Sequence, residues 1–409
     1  MPPFVPPETV DHILSHMQAH RGTLCSCARV CQSWLPIARL HLFSCVSLQS
    51  VPAYDSFVRG VLHSSDMRPY LSTVRSVLLC HDIPGELPIR EHAHRLFLLE
   101  FSGQLPVMDH LSLMNLDWSA DIPRCSEPLL LSTFPSLTSL ALFACSLPSF
   151  SFLRRTLTAI PSLTALYIHE VTWRETEAVG PSTCTWTRPT LANFFFEYSF
   201  YTPCTDQLLL WLSQTRSQSS IHNLRFHPGG HMDGSAPYNA HVLSLTERIF
   251  LKVIAPHIKY ASLTPIVNVA QCTWSNVCKL LVDATRYGTR WADLFGLLRT
   301  TPRLRILQIK INSSHVNTRN PPEACIEDHE IKELDSILGQ ERQKALERAE
   351  FLVVVSERDA KALIFAELIE RLPTLHGSNV LAMEVEGRNV VDAPSDNRSR
   401  GLEDVQSGL

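Results

Sequence analysis

The sequence predicts an α/β fold in two parts. A small N-terminal unit of three short helices precedes an irregular repeat array, a curved parallel sheet with helices outside it. Three observations carry this. The first fifty residues hold three helical patterns separated by breakers. Beyond them a short apolar motif recurs at long, uneven intervals. The 409 residues are 45% hydrophobic and 19% charged with a net charge of −4, which is enough length and apolar content for a large core.

The first helix opens at Pro6-Pro7, with Glu8 and Asp11 in the turn where the helix dipole favours negative charge. Val10, Ile13, Leu14 and Met17 then recur at helical spacing. Arg21-Gly22-Thr23 reads as a break. Thr23 is the expected N-cap of a second helix carrying Leu24, Cys27, Ala28 and Val30. Gln32-Ser33-Trp34 starts the third, with Leu35, Ala38, Leu42 and Phe43 turned inward.

Taken together, Val5-Pro6-Pro7-Glu8, the Val10-x-x-Ile13-Leu14 stripe, Leu24…Cys27-x-x-Val30-Cys31, and Cys31-x-Ser33-Trp34 closing on Leu42-Phe43 resemble the F-box. The closest likeness is to the F-box-like domains of large mushroom-type fungal families, in which an irregular leucine-rich region follows. The resemblance covers about the first 48 residues, and Val5 departs from the Leu usual there. It implies binding rather than catalysis: three helices packed on a Skp-type adaptor, and through it on a cullin and a RING-bearing ubiquitin ligase. Such a small unit buries little surface alone, and an apolar face left on it suits docking. The resemblance makes Pro6, Ile13, Leu14, Leu24, Val30, Trp34 and Leu35 candidates for adaptor contact or for the unit's own core, and the sequence does not divide them. The plainer alternative is a helical cap on the array that follows.

The recurring motif is L-x-x-L-x-L. Its strongest copies are Met108-x-x-Leu111-x-Leu113-x-x-Leu116-x-Trp118, Leu137-x-x-Leu140-x-Leu142-x-x-Cys145-x-Leu147 and Leu163-x-x-Leu166-x-Ile168-x-x-Val171-x-Trp173. Weaker copies begin at Val74, Leu191, Ile221, Ile258, Val277, Leu304, Ala349 and Val380. The typical spacing, roughly 26–31 residues, and the Cys at the turn position resemble the leucine-rich repeat. Each copy is expected to be a short strand with alternate side chains inward, and Pro135 and Pro161 mark the passage from helix to strand. The expected division is 1–48, an F-box-like domain; 49–386, the repeat array; and 387–409, a polar, disordered tail.

Towards the C-terminus, residues 303–311 alternate as a strand with one solvated face. Residues 330–349 read as an amphipathic helix on Leu334, Ile337, Leu338, Ala345 and Leu346, residues 351–355 as a buried strand, and residues 360–372 as a helix stopped by Pro373. Loops on a rigid scaffold carry recognition. Two are expected: residues 173–189, which contain Trp186, and the Gly-rich stretch 227–234.

The near-neutral charge, with 36 Lys and Arg scattered, argues against a nucleic-acid partner. Twelve Cys without paired spacing, many in apolar runs, read as reduced core residues of a cytoplasmic or nuclear protein. No signal peptide is visible. The uncharged stretch 129–153 follows the repeat pattern and is not expected to cross a membrane. His227 and His231 are separated by Pro228 and two glycines, so no helix aligns them on a metal. Cys25, Cys27 and Cys31 fall within the small helices. No phosphate loop, Gly-x-Ser-x-Gly or Cys-x-x-Cys occurs, and Asp328-His329-Glu330 reads as a helix start. No catalytic, cofactor-binding or metal-binding residue is expected. The partners expected are the Skp-type adaptor, the cullin behind it, and a target protein held by the repeats.

Overall fold

A computed structural model describes residues 5–18, 20–80, 93–118, 127–175, 189–198, 203–228, 243–264, 269–284, 291–312, 328–338, 345–355, 372 and 381–387. The chain begins with three helices, α1 (Pro7–Ser15), α2 (Arg21–Cys27) and α3 (Trp34–Ser44). Pro7 opens α1 at the first helical position, where a missing N–H costs nothing. Helix α2 begins two residues before the expected cap. His20 stands at its N-cap, and Arg21, Gly22 and Thr23 lie inside the helix. A Cβ at Gly22 would meet nothing within 4 Å, so this glycine is a surface position that the helix tolerates.

Among the described residues twelve strands then form one parallel sheet: β1 (Cys45–Leu48), β2 (Ser76–Cys80), β3 (His110–Met114), β4 (Ser139–Phe143), β6 (Ala165–His169), β8 (Asn193–Tyr198), β9 (Asn223–Pro228), β10 (Tyr260–Leu263), β11 (Lys279–Asp283), β12 (Ile306–Asn312), β13 (Arg348–Val355) and β14 (Leu381–Gly387). They lie in sequence order, each bonded only to the strand before and the strand after. A two-stranded sheet of β5 (Ser146–Ser149) and β7 (Thr172–Glu175) runs beside them.

One rule sets the register. Every strand from β2 to β12 in the large sheet starts two residues after a lead apolar residue. The nine leads, Val74, Met108, Leu137, Leu163, Leu191, Ile221, Ile258, Val277 and Leu304, are at most 3% exposed. The expected strand positions hold over this span. Two later copies shift. Arg348 stands opposite Ile306, so the lead of β13 is Leu346, not Ala349. Leu381 stands opposite Ala349, and through it opposite Leu307, so β14 is two residues out of the phase that a lead at Val380 would set. At the other end, Cys45 pairs with Ser76. Phe43 therefore holds the lead place of β1, and the sheet begins inside the segment assigned to the helical unit.

The strands are short because the chain must turn after each one. Asn115, Ala144 and Glu170, at equivalent places one residue past β3, β4 and β6, have φ of 53°, 48° and 52°. Each donates its backbone N–H to a carbonyl at the end of the next strand: Phe143, His169 and Glu197 respectively. The turn is thus made by the residue before the Cys145 position. Cys145 itself is buried, and its thiol donates to the carbonyls of Leu113 and Phe143.

Among the described residues nine α-helices lie in the connections: α4 (Val51–Phe57), α5 (Ala93–Glu100), α6 (Glu127–Leu130), α7 (Phe150–Ala159), α8 (Pro203–Leu212), α9 (Ser217–Ser220), α10 (Leu245–Ile254), α11 (Trp291–Arg299) and α12 (Asp328–Leu338). Ser50, Ser149 and Ser244 cap α4, α7 and α10, and Ser244 forms a full capping box with Glu247. Helix α7 turns Phe150, Leu153 and Leu157 onto the sheet. One continuous core runs from Val46 to Leu372.

Several local expectations change. Helix α12 is described over Asp328–Leu338, Ala345 and Leu346 are not helical, and Ala349 lies in β13. Trp173 is a buried residue of β7 rather than part of a loop, and His227 is a buried residue of β9. The loop residues 176–188, most of the Gly-rich stretch (229–234), the helix expected at 360–371 and the tail from 388 lie outside the described residues. Among the described residues no helix is long and apolar enough to cross a membrane.

Candidate docking surfaces

The three N-terminal helices have a core of their own. Val10 and Leu14 of α1, Leu24 of α2 and Ala38 of α3 are at most 2% exposed and cluster apart from the main core. Met17, Cys27, Trp34, Ile37 and Leu42 pack around them. Val10 and Leu14 meet the other helices because they stand one turn apart on α1.

The candidate residues now divide. Leu14 and Leu24 are core. Trp34 and Leu35 are half-buried. Pro6 is exposed at the cap of α1, Ile13 is 41% exposed, and Val30, in the turn after α2, is 63% exposed. Sequence reasoning missed two further exposed apolar side chains, Val5 and Leu40. Of eleven exposed large hydrophobic residues among those described, Val5, Ile13, Val30 and Leu40 make four within the first forty positions. Nothing in apolar spacing marks Leu40 as exposed, because it lies between the inward Ala38 and Leu42.

Polar contacts fix the unit. His41 bonds Asp11 at 2.8 Å and Gln18 at 3.0 Å, tying α3 to α1. The Arg21 guanidinium donates to the carbonyl of Cys45 and joins α2 to the sheet. Phe43 stacks on Tyr70 with centroids 5.6 Å apart, and Arg39 lies over the same ring. Cys25 and Cys31 are exposed, contrary to the expected core role. The Ser33 hydroxyl and the N–H groups of Ser33 and Trp34 hold the Cys31 thiol below its ordinary pKa.

The second surface is the sheet face turned away from the main core. Tyr167 of β6 stacks on Phe195 of β8 at 4.3 Å between centroids, nearly parallel, beside Ala141, Ala165 and Phe143. His110 of β3 bonds Ser139 at 2.7 Å and Ser112 at 2.9 Å, and burial keeps its pKa below the ordinary value. His227 bonds Thr264 at 2.8 Å and Ser262 at 3.0 Å. Both imidazoles have each ring nitrogen engaged by a hydroxyl, so they act as ties between strands. Among the described residues no group of three or more His, Cys, Asp or Glu is placed to hold a metal ion. Burial pushes the Cys145 thiol up to about 12, so it stays protonated and unreactive.

A scan of protein-family models finds no match to this chain. A search of the curated proteins finds none either.

Proposed function

We propose that this chain is the substrate-recognition adaptor of a cullin-RING ubiquitin ligase. In this reading its N-terminal helices are an F-box that binds a Skp-type adaptor, and the sheet is a leucine-rich-repeat solenoid that holds a target protein. The observation that carries the reading is the exposure of Ile13 and Val30 on a unit whose own core is complete without them. Large apolar side chains set out in water on so small a unit suit burial by a partner. Ubiquitin transfer is then the work of the ligase, and tethering raises the local concentration of target lysines.

The test is co-purification of the full chain with a Skp-type adaptor and cullin from its host. The expected outcome is recovery with the natural chain and loss with Ile13→Asp plus Val30→Asp, with an unchanged melting temperature. Equal recovery with the double variant would sink the proposal. Leu14→Asp is the contrasting control: it places a charge in the four-residue core and unfolds the unit.

A second reading, a repeat scaffold outside any ligase, is favoured by the seating of α3 on the sheet end. Phe43 packs against the main core and the Arg39–Tyr70 contact lies beside it, as a cap would require. A full chain that recovers no adaptor in either form would select it.

A further inference from the structure

We propose that the corner of the sheet where β10 to β13 begin binds an acidic segment of the target protein, with its carboxylates on lysines and its apolar side chains on Tyr260. The inference rests on the reading of the sheet as the target-holding surface, and names the chemistry of what that surface holds. Two rows of side chains build the corner. On the face turned away from the main core, Tyr260 stands opposite Lys279, Lys279 opposite Ile306, and Ile306 opposite Arg348. The next residue on each strand, Ala261, Leu280, Leu307 and Ala349, is buried on the other side. One residue before the first row, backbone hydrogen bonds link Lys259, Cys278, Arg305 and Glu347 across the same four strands. Neighbouring strands lie about 4.8 Å apart, so the corner spans roughly 15 Å.

The charge of this corner is one-sided, in a chain whose net charge is −4. It carries Lys259, Lys279, Arg303, Arg305 and Arg348, and among the described residues the acids set against them are Glu347 and Glu350. Those carboxylates occupy two guanidinium forks. Arg305 donates to both Glu347 oxygens, at 2.8 and 2.9 Å, and Arg348 donates to Glu350 at 2.6 Å. Arg303 bonds the neutral Asn276 at 3.0 Å. Lys259 and Lys279 have no ion pair among the described residues. Lys259, Lys279 and Arg303 are thus left without a counter-charge. Tyr260, 46% exposed, stands beside both lysines. It is also within electrostatic reach of Arg305, whose charge is held by Glu347 first and by Cys278 and Tyr260 after it. A large side chain half in water among open cations suits a ligand both acidic and apolar. Single carboxylates fit better than a phosphate. The lysines are point charges on separate strands, whereas a phosphate dianion is gripped best by an open guanidinium fork, and the forks of Arg305 and Arg348 are taken. A nucleic-acid backbone fits less well again, because Glu347 and Glu350 would face its phosphates. The sequence scatters these groups over positions 259 to 348, and the parallel register gathers them.

The test uses the full chain and needs no ligase component. Fluorescence anisotropy follows labelled probes: a short peptide of glutamate and leucine, the same peptide with glutamine for glutamate, a peptide carrying the same charge on phosphoserines, and oligouridylate. The expected result is saturable binding of the glutamate peptide, weakened by salt, and none of the glutamine peptide. Lys259→Gln plus Lys279→Gln is expected to weaken the glutamate peptide about tenfold, and Tyr260→Ala to do the same. Arg216→Gln plus Lys252→Gln, a charge-matched control in the helix layer, is expected to change nothing. All these side chains are at least partly in solvent, so the melting temperature holds. If Lys279→Gln lowers it, Lys259→Gln plus Arg303→Gln serves instead. A natural chain that recovers the Skp-type adaptor but leaves the glutamate peptide free would overturn this inference alone. One that binds the peptide and recovers no adaptor would overturn the ligase reading alone. Equal loss in the control variant, equal binding of the glutamine peptide, or tighter binding of the phosphoserine peptide or oligouridylate than of the glutamate peptide would also overturn the inference.

Discussion

Ala144 holds a left-handed backbone with an exposed methyl group. That conformation costs an L-residue roughly 1–2 kcal/mol, whereas the added freedom of glycine in the unfolded chain costs about 0.4–1 kcal/mol. Ala144→Gly is therefore expected to stabilise the protein by about 0.5–1 kcal/mol, read as a higher urea midpoint at unchanged slope. An unchanged or lower midpoint would show that the turn is not strained. At this scale the sequence was partly legible. Cys145 announced its buried turn position because the repeat pattern marks it. The φ > 0 residue before it did not, because Asn, Ala and Glu occupy that place in three successive turns and share no chemistry. Ile13 and Leu14 show the same limit. They are equally apolar neighbours, and only the direction from which α3 approaches α1 makes one core and the other surface.

The connections are held by local devices that can be removed one at a time. Ser149 caps α7 by accepting from the Phe152 N–H at 3.2 Å. Ser149→Ala is expected to cost about 1 kcal/mol, checked by urea denaturation. A loss below a few tenths would mean that packing of Phe150 and Leu153 alone holds the helix. Strand positions were legible from β2 to β12 because each lead residue is apolar and the residues before the strand are turn formers. They slipped at β13, where the apolar run Phe351–Val355 carries no alternation to fix its phase. The break expected at 21–23 failed for the opposite reason. A glycine on a solvent-facing helix position lacks packing to lose and costs only its propensity.

Among the described residues the large sheet is a single file in which each strand is hydrogen-bonded to the strands before and after it in that sheet. Stability in such an array spreads over nearest-neighbour contacts. Leu224, fully buried in β9, is a place to test this. Leu224→Asp is expected to speed amide hydrogen exchange in β8, β9 and β10 more than in β2 or β12. Uniform acceleration across all strands would show that the array opens only as one unit. The single-file order was the part of the architecture most legible in sequence, because recurrence of one motif is itself a statement of adjacency. The join between helices and sheet was not legible, because Cys45–Leu48 is too short to stand out from the helical pattern before it. That join has no spacer. Ser44 ends α3, Cys45 begins β1, and the Ser44 carbonyl already accepts from the N–H of Arg75 beside β2. A tether lets two bodies search a volume; this joint fixes a bearing. Anything clamped on the helices and anything resting on the strands are presented to each other at one distance and one angle.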